Sequence, residues 1–194
     1  MDIGPTRVAD LAAEYRAEEP LAAVESDHVE MLPATFRGGE FGWRDAIWVV
    51  RWYYRRFLGA VPNAERRAAE DAFDENEFEA VRDAIVAAAT TEDLEERLDS
   101  LTRLDGVDLP VATAFLQFID PESFLVVGER EWGVLEDIGA LSDPYPSPAT
   151  AEDYRTYLEA ARDLADRCDC DAWTLYQAIW RLAGRPNDSD QPTS

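Results

Sequence analysis

Leu101-Thr-Arg-Leu-Asp-Gly-Val-Asp-Leu-Pro-Val-Ala-Thr-Ala-Phe-Leu-Gln-Phe118 is the stretch from which the fold is read. Its first part ends a helix at Leu104. A turn of about four residues containing Gly106 follows, and a proline stands near the start of a second helix, where its missing N–H costs nothing. Within that second helix Val111, Ala114, Phe115 and Phe118 fall at i, i+3, i+4 and i+7, so one face is expected to be buried. The amides of such a turn and the positive end of the second helix suit a phosphate. Asp108, in the turn, has a simpler use as the cap of that helix.

Outward from this hairpin, which occupies about residues 101–119, the helical period continues in both directions. Thr6 is expected to cap a helix through Arg16 with Val8, Leu11, Ala12 and Tyr15 inward, and a further segment starts near Leu21. Residues 31–42, with Pro33, Gly38, Gly39 and Gly42, read as a loop. A long helix then runs from Trp43 to about Leu58, closed by Gly59 and Pro62. Asn63 is expected to cap Ala64–Phe73, and Glu77–Ala89 continues the pattern. Thr91, with Glu95, is expected to cap Glu92–Leu104. After the hairpin helix, which ends at Ile119, Phe124–Val127 is β-branched and aromatic but too short to imply a sheet. Helices at 129–138, 150–167 and 171–182 complete the pattern. The expected architecture is all-α, one helical domain over 1–184 with a disordered polar tail at 185–194. No internal repeat or linker is visible.

Charge narrows the chemistry. The 194 residues carry 41 acids against 18 bases, a net of −23, and every base is an arginine. The acids are spread through amphipathic stretches, so the charge belongs to folded surfaces. Like charges repel over about 30 Å at 0.01 M salt and only about 3 Å at 1 M, which implies a chain adapted to molar salt. Without lysine there is no Schiff-base or phosphate-loop lysine chemistry. His28 alone gives little scope for a histidine triad or metal cage, and neither a metal nor a cofactor is expected. Cys168 and Cys170 are two apart on a helical pattern, which disfavours a disulfide and suits thiols in a reducing interior. No signal peptide and no run of ~20 apolar residues is present, so a cytoplasmic protein without a membrane partner is expected.

The segment Trp43-Arg-Asp-Ala-Ile-Trp-Val-Val-Arg-Trp-Tyr-Tyr-Arg-Arg-Phe57 is a second constellation. At 100° per residue Trp43, Ala46, Ile47, Val50, Tyr54 and Phe57 share the core side, and Arg44, Trp48, Arg51 and Arg55 form a neighbouring stripe. Four arginines and one acid in this segment give +3 inside a chain of −23. Interleaved arginine and aromatic side chains suit bases and phosphates. The alternative is intramolecular, with arginines pairing to carboxylates and tryptophans filling the core.

Leu104-x-Gly106-Val107-x-x-Pro110-Val111-Ala112 resembles the helix-hairpin-helix of the DNA glycosylase superfamily, and more particularly an uncharacterised glycosylase-like branch of it. Phe118-Ile119-Asp120-Pro121, Phe124, Val126, Arg130 and Trp132 follow in the order of that branch, as do Tyr154, Tyr157, Leu158, Trp173 and Trp180. Val50-Arg51-Trp52-Tyr53 is similar to its arginine–tryptophan helix, and the likeness spans roughly residues 43–182. The resemblance implies a helix-hairpin-helix fold, DNA as partner, and Gly106, Val107, Arg51, Arg55 and Arg130 as nucleic-acid-binding residues. Two positions depart from the pattern. Asp108 stands where the hairpin has its second glycine, and Gly128 stands where the superfamily has its catalytic aspartate. Glu129, next to it, is the candidate replacement, and the missing lysine excludes the usual lyase step. The reading that keeps only the fold is a non-catalytic protein-interaction domain.

Overall fold

The computed structural model describes residues 3–57 and 61–184. Among them are ten helices and no strand: α1 Pro5–Glu18, α2 Ala22–Gly38, α3 Trp43–Arg55, α4 Asn63–Asp74, α5 Phe78–Thr90, α6 Leu94–Thr102, α7 Leu109–Ile119, α8 Glu129–Asp137, α9 Ala151–Cys168 and α10 Ala172–Ala183. The all-α expectation holds. The predicted tail and Gly59 lie outside the described residues.

α7 is the axis of the fold. Every side chain from Val111 to Ile119 is buried, and the helix packs against α2, α3, α5 and α6. Burial on all sides explains a segment whose only polar side chains are Thr113 and Gln117. Both are put to use. Gln117 Oε1 accepts from the Val126 amide at 2.7 Å, and Thr113 Oγ1 accepts from the Val127 amide at 3.1 Å. On the carbonyl side, the Tyr154 hydroxyl donates to Leu125 O at 2.9 Å and the Tyr157 hydroxyl to Val126 O at 3.2 Å. The extended run 124–127 thus crosses the interior with side chains satisfying groups that a sheet would otherwise pair. It delivers Gly128 and α8 to the middle of the molecule.

The first and last helices clasp each other. Tyr15 and Tyr176 meet edge to face with ring centres 6.0 Å apart. Arg16 donates to Gln177 Oε1 at 2.7 Å, and Arg181 pairs with Glu19 at 2.9 Å. Buried residues from Val8 to Trp180 form one continuous core. No described helix is long and apolar enough to cross a membrane. Neither Cys168 nor Cys170 forms a disulfide, and no described group of His, Cys, Asp and Glu could hold a metal ion.

Four local expectations are corrected. The segment 31–42 is helical as far as Gly38, with Pro33 inside α2. Leu32 and Phe36 lie at i and i+4 and are fully buried. Burying two such side chains contributes about 3–6 kcal/mol, enough to offset the ~3 kcal/mol cost of an interior proline. The glycines mark the stop, Gly39 closing the helix at φ +67°. Gly4 rather than Thr6 precedes α1. Pro62 rather than Asn63 precedes α4, so Asn63 is its first helical residue. Asp93 rather than Thr91 caps α6, its carboxylate accepting from the Glu96 amide at 2.9 Å. Thr91 instead donates its hydroxyl to Glu96 Oε2. A carboxylate at the positive helix end outcompetes a neutral hydroxyl two residues earlier.

Candidate functional site

The turn between α6 and α7 positions Gly106 by close packing. Gly106 has φ +77°, and a Cβ there would lie 2.4 Å from Ala69 O and 2.8 Å from Phe73 N. Only glycine permits both the left-handed backbone and this contact with α4. Asn76 fixes the same turn, accepting from the Asp105 amide and donating to the Asp105 carbonyl, each at 3.0 Å. Val107 is buried. Asp108 caps α7, its Oδ1 accepting from the Val111 amide at 3.0 Å. A carboxylate therefore holds an amide to which an incoming phosphate would otherwise bind. Burial raises the Asp108 carboxyl above the usual aspartate range, partly opposed by those backbone hydrogen bonds.

The arginine stripe of α3 opens on a groove of about 300 Å³. Arg44, Trp48, Arg51 and Arg55 line it together with Ile47, Trp52 and, from the α2 side, Leu21 and Val24. Arg51 Nε lies 3.5 Å and Arg55 Nη2 3.9 Å from the Glu70 carboxylate, while Arg66 holds the same carboxylate at 2.6 Å. Three arginines share one acid. Arg44 has no ion pair among the described residues, so the groove keeps a positive excess. Trp48 is held flat between neighbours: His28 stacks on it with centres 3.6 Å apart and planes 8° from parallel, and Phe118 meets it edge-on at 4.9 Å.

Arg56, one residue on from Arg55, turns the opposite way. It is 3% exposed and pairs with the fully buried Glu131 at 2.7 Å. Its guanidinium lies 4.7–5.2 Å from the rings of Trp52, Tyr53, Phe57 and Trp180. The charge of Glu131 holds Arg56 protonated against the desolvation that burial imposes. This pair also explains Gly128. A Cβ at 128 would sit 2.9 Å from Glu131 Oε2, so the carboxylate of residue 131 fills the space that a side chain at 128 would need.

The remaining predicted residues fall near this pair. Arg130 lies over the Trp180 ring at 3.8 Å and donates to the Trp180 carbonyl at 3.1 Å, tying α8 to α10. Glu129 is exposed at the start of α8 and lines a second pocket with Gly128, Arg130, Tyr53 and Tyr54. The structure brings Arg51 and Arg55 together in one groove. Arg130 and Glu129 lie at another, Gly106 is packed at the α4 contact, and Val107 is buried.

A buried polar chain joins residues outside the site expected from the sequence. Glu25 is 1% exposed, accepting from the Tyr15 hydroxyl at 2.5 Å and from Trp52 Nε1 at 2.6 Å. Its carboxyl is raised by burial, against those two hydrogen bonds and the charge of Arg56. Helical phase carries the missing signal: Glu25 shares a stripe with Ala22, Val29, Leu32 and Phe36, and Glu131 shares one with Val134 and Leu135. A charge on an apolar stripe points to a buried pair.

No protein-family model, no curated protein and no solved structure matches this chain.

Proposed function

We propose that the chain is a nucleic-acid-binding domain of the helix-hairpin-helix, glycosylase-like kind that reads its ligand through the α3 groove and lacks a carboxylate on residue 128. One observation carries this reading: Arg44, Arg51 and Arg55 surround Trp48 in a groove where arginines outnumber acids, in a chain whose acids outnumber arginines by more than two to one. The arginines suit phosphates, and Trp48, which carries His28 on one of its faces, suits a base with the part it leaves open to the groove. Base–aromatic stacking is worth about 1–3 kcal/mol per base and loses little in salt, whereas each phosphate contact weakens steeply as salt rises. In molar salt the tryptophan therefore keeps its contribution while the phosphate contacts lose much of theirs.

Fluorescence anisotropy with labelled single-stranded, duplex and abasic-site DNA, in KCl from low salt to molar, tests this. Binding is expected to exceed that of an unrelated protein of equal acidity. Trp48→Ala is expected to weaken it about fivefold or more, the low end of one stacked base. Affinity no better than that of the acidic control sinks the reading.

A further inference from the structure

The pocket on the other side of α3 has the opposite character. It encloses about 390 Å³ between Tyr53 and Tyr54 of α3, Phe57 just beyond it, Val61 and Glu65, and the start of α8 at Gly128, Glu129 and Arg130. Its walls are aromatic. Its charge is negative: Glu65 and Glu129 line it, and Asp108 is close enough for its charge to act on Tyr53 and Tyr54. The lining cation, Arg130, is already stacked on Trp180 and bonded to its carbonyl.

The wall at Gly128 adds an independent observation. Glu131 Oε2 is buried and accepts no hydrogen bond, although Oε1 takes one from Arg56. It lies 2.9 Å from the place where a Cβ on residue 128 would be, with the Tyr53 hydroxyl 3.7 Å and Arg56 Nη2 3.9 Å from the same point. An acceptor this deeply buried costs free energy while it lacks a donor. Gly128, which lines the pocket, lies against it together with Tyr53, and Arg56 Nη2 beside it likewise lacks an acceptor.

We infer that this pocket binds a flat organic cation of the amidinium type. Its face would lie on Tyr53, Tyr54 and Phe57, and its N–H donors would point to Glu65, Glu129 and, past Gly128, Glu131. The shape and charge both select this class. A planar cation is attracted to aromatic faces, and its paired N–H groups match a carboxylate as a fork. Phosphates and other anions are repelled by the same acids. The inference concerns a different pocket from the nucleic-acid reading and stands or falls separately from it.

Benzamidine is the probe and benzamide its neutral counterpart of the same shape. Each is titrated calorimetrically into the full chain in molar KCl. Benzamidine is expected to bind at least about tenfold more tightly than benzamide, a difference of ~1.4 kcal/mol. The Glu65→Gln, Glu129→Gln double variant, altered only at exposed positions, is expected to lose about tenfold in benzamidine affinity with an unchanged thermal melt. Gly128→Ala, which crowds Oε2, is expected to weaken the probe as well. Equal binding of the two probes, no benzamidine binding at millimolar concentration, or benzamidine binding unaltered in the double variant would each overturn the inference.

Discussion

Arg55 and Arg56 are neighbours in sequence and live in different worlds. Arg55 stands on the outer stripe of α3, more than half exposed, 3.9 Å from a carboxylate that two other arginines also use. Arg56 is enclosed by four aromatic rings and bonded to a carboxylate with no exposure of its own. The cause is the 100° that one residue adds to a helix. On one face the arginines outnumber acids and remain available to a ligand. On the other, a single arginine is buried and neutralised by Glu131. The +3 counted over 43–57 therefore overstates the outward charge, because Arg56 does not belong to the exposed stripe.

The largest expected effect comes from breaking the inner face. Glu131→Ala would leave the Arg56 guanidinium buried without its partner, which typically costs about 3–5 kcal/mol. Chemical denaturation at fixed molar KCl should show it as a lower midpoint. The Arg56→Met, Glu131→Leu double variant removes both charges and should lose less than the Glu131→Ala single variant. A double variant at least as damaged would mean that the pair does more than neutralise itself, and the contrast between the faces would need another origin.

How far this contrast was legible in the sequence depends on what kind of signal each residue sends. Helix periods, the turn at 105–108 and the stripe of Arg44, Trp48, Arg51 and Arg55 all follow from local spacing, and most of the helices lie where that spacing puts them. The capping carboxylate of Asp108 was readable for the same reason. Pro33 and the glycines at 38, 39 and 42 misled, because punctuation residues carry no record of the Leu32 and Phe36 burial that overrides them. The inner face was not legible as a contact. Arg56 and Glu131 are 75 residues apart, and only their positions on apolar stripes hint that either is buried. Gly128 could not be explained without knowing that the Glu131 carboxylate occupies its side-chain space.

Glu25 lies between the two faces, since it accepts from Trp52, which lines the outer groove, and feels the charge of Arg56 within. Burial raises its carboxyl above the ordinary value for glutamate, so in the relevant range the folded chain holds this proton more tightly than the unfolded one. Its contribution to stability is then fully present below the unfolded pKa and is lost as pH rises through the folded one. Glu25→Gln removes this dependence. The difference in melting temperature, variant minus parent, is expected to become more favourable to the variant as pH rises from acid toward neutral. A difference that is flat with pH, or that falls, would show that the hydrogen bonds from Tyr15 and Trp52 outweigh desolvation at this carboxyl.

The smallest expected stability effect belongs to the outer face, and it sharpens the comparison most directly. Arg55→Ala removes a side chain that is 55% exposed and whose nearest carboxylate is also held by Arg66 at 2.6 Å. Coulomb attraction at such a site is screened by water and salt, and Glu70 stays paired after the change, so stability should move by no more than about 0.5 kcal/mol. The same change should weaken oligonucleotide binding and make the slope of log affinity against log salt shallower by about 0.7, the amount expected for one lost single-strand phosphate contact. A loss of stability comparable to that of Glu131→Ala would place Arg55 with Arg56 as a structural residue. Unchanged stability with an unchanged salt slope would remove Arg55 from the proposed nucleic-acid-binding stripe and leave the proposal to rest on Arg44 and Arg51.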